Sequence, residues 1–108
     1  MRRLCPALAA LPLTAGPALA QETAPVDPAA GRRLAEQACA TCHAIPGVTP
    51  PIRIPGARSF QALAADPAVT GLALHAYLRT QHPPTPTFVL DEEQLNDVIA
   101  YILSRRAE

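Results

Sequence analysis

Several residue types are scarce or absent in this chain of 108 residues. There is no lysine and no tryptophan, and the single methionine is the first residue. Arginine is therefore the only strong cation, and nine arginines stand against nine acidic residues. Proteins that bind nucleic acid carry a clear excess of basic residues, so we expect no nucleic-acid partner.

Residues 1–20 have the features of a secretory signal peptide. Two arginines precede an apolar run, which ends with the small residues Ala18 and Ala20. Three prolines interrupt this run and it is short for a bilayer span, so a membrane helix is the weaker alternative. We expect cleavage after Ala20, a flexible N-terminus over 21–27 and one small domain over 28–108. The mature protein is then periplasmic, slightly acidic and without stable membrane insertion.

Two cysteines three positions apart, followed at once by a histidine, form the segment Cys39-Ala40-Thr41-Cys42-His43. This spacing is the attachment signature of a c-type haem. Residues three and four apart project from one face of a helical turn, so both sulfurs can reach the vinyl groups on one edge of a porphyrin. His43 then binds the iron from below the ring. We predict one covalent haem c, attached through Cys39 and Cys42, with His43 as the iron ligand.

Two other uses of a Cys-x-x-Cys pair agree less well with the rest of the chain. A structural zinc site needs a second pair of ligands. The third cysteine, Cys5, lies in the segment that we expect to be removed. A thioredoxin-like dithiol lies at a strand-to-helix junction, and no convincing strand is indicated. Haem attachment is therefore the favoured hypothesis. It also supplies the kind of covalent cross-link that stabilises a small domain with a modest core.

Four helices are predicted from capping residues and apolar periodicity. The expected helices, with their N-caps in parentheses, are 28–42 (Asp27), 60–65 (Ser59), 71–81 (Thr70) and a C-terminal helix after Asp91. The C-terminal helix has the clearest pattern, because apolar residues recur at helical spacing from Leu95 to Leu103. Asp91 and Gln94 have the spacing of a capping box. The sequence therefore indicates an all-α fold.

The segment 44–58 contains four prolines and two glycines, which exclude a regular helix or strand. In a haem protein such a loop can cover one face of the ring. We predict that one of its carbonyl oxygens accepts the Nδ1 hydrogen of His43, since ligating histidines generally have such a partner. The sequence does not indicate which carbonyl this is. Arg53 and Arg58 are candidates for pairing with haem propionates, with solvent exposure as the alternative.

In this order of elements, the chain resembles the small class I cytochromes c of bacterial periplasms over roughly Asp27 to Ser104. The segments that carry the resemblance, besides the haem motif, are Ser59-Phe60-Gln61-Ala62-Leu63-Ala64, Leu74-x-x-Tyr77-Leu78, His82-Pro83-x-x-Pro86, Leu90-Asp91-Glu92-Glu93-Gln94 and Ile99-Ala100-Tyr101-Ile102. The resemblance implies a bundle of about four helices around one covalently attached haem. It also implies that the first and last helices cross, with Gly31 of one helix against Tyr101 of the other.

The function that this resemblance implies is one-electron transfer, in which the haem iron cycles between ferrous and ferric states. The chain is then a carrier and not an enzyme. Its redox partner is not indicated by the sequence, and it is expected to act as a monomer or as a subunit of a larger oxidoreductase. A peroxidase-like enzyme would need a distal acid–base residue, for which His82 is the one candidate.

The sequence departs from the family at the sixth iron ligand. That ligand is usually a methionine between the prolines after His82, and this chain has Thr85 there. The only methionine is Met1, which export should remove. If cleavage occurs, the ordinary pairing of histidine with methionine is excluded.

Two hypotheses remain for the sixth position. Either it is open or holds water beside Thr85, and can bind small ligands such as CO, NO or O2 in a sensor or carrier, or His82 closes it as a second histidine ligand. Prolines on both sides of Thr85 stiffen the loop and favour the open site. His75 is a weaker candidate, because a lone helix histidine is usually a surface residue or a satisfied core residue.

Overall fold

The computed structural model describes residues 15–16, 24–52, 54–80 and 89–108. Over these ranges the chain forms four α-helices, α1 (Pro28–Ala38), α2 (Phe60–Ala65), α3 (Gly71–Leu78) and α4 (Glu92–Ser104), followed by a 3₁₀ helix (Arg105–Ala107). The described residues form no β-strand, and the predicted all-α class is confirmed. Almost all of the predicted signal peptide, Arg53, and the segment 81–88 with His82 and Thr85 lie outside the described residues, so the predictions for them stay predictions.

All four predicted N-caps are confirmed. A side-chain oxygen accepts a backbone N–H of the first turn in each helix, at the caps Asp27, Ser59, Thr70 and Asp91. At α4 the Gln94 side chain also accepts the Asp91 N–H, which completes a capping box. These bonds satisfy backbone donors that have no partner within the helix. The helix starts are therefore determined locally by the sequence.

The end of α1 differs from the prediction, since the helix stops at Ala38 and not near Cys42. The carbonyl oxygen of Ala35 accepts two backbone N–H groups, from Cys39 at 2.8 Å and from Ala40 at 2.9 Å. This shared acceptor interrupts the regular spacing of the helical hydrogen bonds. The haem motif therefore forms a separate turn after α1.

The end of α3 is also earlier than predicted, at Leu78 instead of about Gln81, a residue that is not described. The backbone N–H and the hydroxyl of Thr80 both donate to the Tyr77 carbonyl oxygen, at 3.1 and 2.7 Å. A hydroxyl that binds the backbone in this way competes with the helical hydrogen bond.

Helices α1 and α4 cross at Gly31. A β-carbon on Gly31 would lie 2.0 Å from the carbonyl oxygen of Asp97 and 2.9 Å from the nitrogen of Val98. The expected crossing is confirmed, but the atoms nearest to Gly31 belong to the α4 backbone one turn before Tyr101. Only glycine permits such a close approach of two helix backbones.

The hydrophobic core lies along α4 and joins it to the other helices. The buried apolar residues are Ala35, Ala40, Ile45, Phe60, Ala64, Leu74, Leu95, Val98, Ile99, Tyr101 and Ile102. Four of the five apolar positions expected on the inner face of α4 are buried, and Leu103 is partly buried against them. Within the described residues, no helix has the length and apolar character needed to cross a membrane.

The loop between α1 and α2 contains two tight turns in place of regular structure. Pro46-Gly47 and Pro55-Gly56 occupy the central positions, and the flanking residues close the turns with backbone hydrogen bonds of 2.9 and 3.0 Å. Gly47 and Gly56 have φ values of 81° and 86°. Proline followed by a glycine of positive φ is the pattern of a type II turn. The prolines and glycines therefore give this loop a defined course past the haem motif.

Candidate haem site

A cavity of about 680 Å³ lies between the haem motif, the second half of the loop, α2, α3 and one face of α4. This volume is within the range of small-molecule and cofactor sites. Much of the wall is aliphatic or aromatic, with contributions from Ile54, Phe60, Leu63, Val69, Leu74, Leu78, Leu90, Leu95, Val98 and Ile102. Such a lining suits a large apolar ring with a few fixed polar contacts.

The three residues predicted to bind haem line this same cavity. Cys39, Cys42 and His43 are all half-buried, and neither cysteine is in a disulfide. Burial raises the pKa of the Cys39 thiol to about 11, and the nearby Cys42 adds to the shift. Cys39 is therefore a neutral thiol at neutral pH, and a thioether formed there would leave no charged sulfur in the apolar wall.

The orientation of His43 is determined by the loop. Its Nδ1 lies 2.6 Å from the carbonyl oxygen of Arg58, which can only accept a hydrogen bond, so Nδ1 carries the hydrogen. In the neutral ring Nε2 then has the lone pair that a metal needs. The prediction that a loop carbonyl fixes His43 is confirmed, and the structure identifies that carbonyl as the one of Arg58.

A second contact reaches the haem motif from the start of α2. The Phe60 N–H donates to the Ala44 carbonyl oxygen at 2.9 Å. The Phe60 ring, which is 3% exposed, packs at 5.8 Å from the His43 ring centroid with a tilt of 53°. Phe60 was expected to belong to α2, but its contact with His43 was not. The two segments are far apart in sequence, and no local pattern indicates that they meet.

Of two other residues considered from the sequence, Arg58 also lines the cavity and His75 does not. The Arg58 side chain binds Asp66 and the Ala62 carbonyl oxygen, at 3.0 and 2.9 Å, so it is engaged along α2. His75 does not line the cavity, and its Nε2 lies 2.8 Å from a carboxylate oxygen of Glu92. His75 therefore links α3 to α4 in this structure. His82 and Thr85 lie outside the described residues.

The residues present fit a covalently attached haem. They provide two thiols at the required spacing, one imidazole of fixed tautomer and an apolar cavity beside them. A protein-only zinc site would need further ligands. Within the described ranges no group of three or more His, Cys, Asp or Glu residues could hold a metal ion. The two thiols and the one imidazole are the donor set of haem c.

Comparison with known proteins agrees with this geometry. The family model described as "Cytochrome C oxidase, cbb3-type, subunit III" matches residues 26–102. No curated protein and no solved structure gives a match. The matched range starts just before α1 and extends into α4, so it contains the haem motif and most of the helical domain. The chain therefore belongs to this family of cytochrome c domains, in which covalent haem c carries electrons and the protein is not a catalyst.

Proposed function

We propose that this protein is an exported cytochrome in which Cys39 and Cys42 attach one haem c and His43 binds its iron through Nε2. The observation that carries this assignment is the hydrogen bond from His43 Nδ1 to the Arg58 carbonyl, on the wall that also holds both thiols. The haem, when bound, supplies an iron that gains and releases one electron. The chain holds the ring, orients the imidazole and keeps water from the buried side.

Two exposed residues at the edge of the cavity support the proposal that the protein exchanges electrons with another protein. Tyr77 and Val89 line the cavity and are 56% and 88% exposed. A cofactor that occupies the cavity would therefore lie close to the surface on the side of α3. Short distance to the surface is what a carrier needs, since electrons are passed to a docked partner and not to a bound substrate.

We propose that the chain acts in the periplasm, as a small class I cytochrome or as the cytochrome subunit of a larger oxidoreductase. The features of a signal peptide in residues 1–20 support export. The match to a subunit of an oxidase supports the second form, in which the domain passes electrons within an assembly. Size-exclusion chromatography of the protein from its native membranes and soluble fraction separates the two cases, because only the subunit co-elutes with other redox proteins.

A second candidate function follows from the missing methionine. No methionine occurs after residue 1, so the usual sixth ligand has no source in the mature chain. An open position beside Thr85 would bind CO, NO or O2 and make the protein a sensor or carrier of small ligands. His82 as sixth ligand would instead give a carrier of low potential, since methionine is the ligand that raises it.

The test is an absorption spectrum of the protein produced with a haem-attachment system. It is recorded oxidised, reduced, and reduced under CO, together with the intact mass. We expect the mass of the chain after cleavage at Ala20 plus one haem. Replacement of His43 by alanine should abolish the normal ligation of the haem. A spectrum that His43→Ala leaves unchanged would contradict the assignment of the proximal ligand.

A further inference from the structure

Arg58 makes three hydrogen bonds that fix its position, one through its backbone carbonyl oxygen and two through its guanidinium. Its carbonyl oxygen accepts from His43, while its guanidinium donates to the Ala62 carbonyl oxygen at 2.9 Å and to an Asp66 carboxylate oxygen at 3.0 Å. Because Arg58 stands directly before the N-cap of α2 and Asp66 is its C-cap, the side chain extends along the whole helix. The residue that supplies the acceptor for His43 is thus held by its side chain to the middle and to the C-terminal end of α2.

Asp66, the acceptor at the C-terminal end of α2, is itself held in place by other hydrogen bonds. The second carboxylate oxygen of Asp66 accepts the Ala68 N–H at 2.9 Å, and the Arg106 side chain reaches the Asp66 carbonyl oxygen at 3.3 Å. The hydrogen bond from Ala68 and the one from Arg58 hold the pKa of Asp66 below its usual range. Asp66 therefore stays ionised as a partner of Arg58 over the neutral pH range.

We propose that Arg58 is a positioning residue that tunes the electron-donor strength of His43 by holding its own carbonyl oxygen against His43 Nδ1. This inference rests on the proposed function, in which His43 is the iron ligand. A short hydrogen bond from Nδ1 makes the imidazole a stronger donor, which favours the ferric state and lowers the midpoint potential. When the guanidinium no longer anchors the loop, the carbonyl moves more freely and the bond weakens.

The charge of Arg58 has the opposite effect on the potential. A cation near the haem favours the ferrous state, so its loss by itself would lower the midpoint potential. Loss of the positioning effect raises that potential. The exposed charge is screened by salt, whereas the hydrogen bond acts directly on the ligand, so the positioning effect should dominate. The sign of the change in a neutral variant therefore distinguishes the two roles.

The experiment compares midpoint potentials of the haem-loaded variants Arg58→Gln and Arg58→Lys with the wild type. We expect a positive shift for Arg58→Gln and a smaller positive shift for Arg58→Lys, which keeps the charge but loses the forked contact. Arg79→Gln is the matched control. Arg79 lines the same cavity and binds Glu92, and its replacement removes the same charge without touching the loop before α2. It should shift the potential downward or leave it unchanged.

A second measurement follows the hydrogen bond itself. In ferrous protein, solvent exchange of the His43 Nδ1 hydrogen, observed by NMR, should be several-fold faster in Arg58→Gln than in the wild type and in Arg79→Gln. A potential of Arg58→Gln at or below that of the wild type, or an unchanged exchange rate, overturns the inference. If His43→Ala kept the wild-type spectrum, the proposed function would fail and this inference with it. If His43 ligation is established and only the Arg58 series fails, the inference alone is wrong.

Discussion

Gly31 of α1 lies against the peptide between Asp97 and Val98 of α4, so that a β-carbon at residue 31 would be 2.0 Å from the Asp97 carbonyl oxygen. This contact determines how closely the first and last helices approach. Since the haem motif follows directly after α1, the same contact places Cys39 and Cys42 relative to the core along α4. The crossing is therefore part of the haem site as well as of the fold.

Replacement of Gly31 by alanine should destabilise the protein strongly. The atoms that a methyl group would meet are backbone atoms of α4, which cannot move aside as a flexible side chain can. Overpacking of this kind costs typically about 1–3 kcal/mol, and we expect the upper end or more. Denaturant unfolding of the haem-loaded protein measures the free energy of unfolding.

Gly71→Ala is the control for that measurement. A β-carbon at Gly71 would lie 3.5 Å from a methyl carbon of Leu103, an ordinary contact. Alanine is favoured over glycine by about 0.5–1 kcal/mol in the middle of a helix. Gly71 is the first residue of α3, where the gain is smaller, so this variant should be about as stable as the wild type. Equal losses for the two variants would contradict the role given to the Gly31 crossing.

Asp97 is the one buried charged residue among those described, at 6% exposure, and it anchors the start of α1. Its Oδ1 accepts the backbone N–H of Asp27 at 2.7 Å. Replacement of Asp97 by alanine removes the charged acceptor of this part-buried hydrogen bond, which should cost about 1–2 kcal/mol of unfolding free energy. Asp97→Asn keeps an oxygen at the same place and should lose less. If both variants lost the same amount, the negative charge and not the hydrogen bond would be the important feature.

The sequence predicts local features of this fold well and long-range contacts poorly. The caps Ser59 and Asp91 were predicted correctly, because a cap depends on residues within one helical turn. The acceptor of His43 was predicted only as some loop carbonyl, and the structure was needed to identify Arg58. Asp97 was not recognised as an anchor, since its partner lies 70 positions away in the chain. The haem motif was recognisable because its chemistry depends on spacing alone.

The ion pair between α3 and α4 should make stability depend on acid pH. A hydrogen bond from His75 and the charge of Arg79 hold the pKa of Glu92 below its ordinary value of 4.5. Because the folded-state pKa is lowered, the pair contributes fully above the unfolded value and its contribution is lost as the pH falls through the folded value. The melting temperature of the wild type should therefore decrease below about pH 4.5.

Glu92→Gln should reduce this acid dependence, because the side chain can no longer be protonated. The control is Glu93→Gln on the neighbouring residue, which forms no ion pair with any residue in the described ranges. The two variants differ only in which of these neighbouring carboxylates is replaced, so the difference between their melting curves isolates Glu92. If the melting temperatures of the two variants fell equally at acid pH, the ion pair would not contribute to stability in solution.

Arg106 should stabilise the chain through the end of α2. Its side chain donates to the carbonyl oxygens of Ala64 and Asp66, at 2.8 and 3.3 Å, and also to that of Val69. Hydrogen bonds to a charged group contribute about 1.5–3 kcal/mol when buried, so for this partly exposed site we expect Arg106→Ala to cost about 1–2 kcal/mol. Arg106→Lys keeps the charge but loses the planar guanidinium that donates to several carbonyl oxygens. If these hydrogen bonds stabilise the chain, Arg106→Lys should also lose stability, whereas a purely electrostatic effect would leave it unchanged.

The residue at position 85 should determine whether the iron accepts an external ligand. No methionine occurs after residue 1, so Thr85→Met would introduce the side chain that the class I cytochromes use at this place in the sequence. A thioether ligand favours the ferrous state, so the midpoint potential should rise. The same ligand competes with CO, and the spectral change of the reduced protein under CO should disappear. Both effects are measured on one sample by absorption spectroscopy and redox titration.

Thr87→Met is the matched control, because it places the same side chain two residues further along the same proline-rich segment. It should leave both the potential and the response to CO as in the wild type. If Thr85→Met behaved like this control, Thr85 would not face the iron.

His82→Ala then decides whether His82 is the sixth ligand or the sixth position is open. A changed spectrum would identify His82 as the sixth ligand and the protein as a carrier of low potential. An unchanged spectrum together with CO binding in the wild type would favour the open site, and with it the function of a small-ligand sensor or carrier.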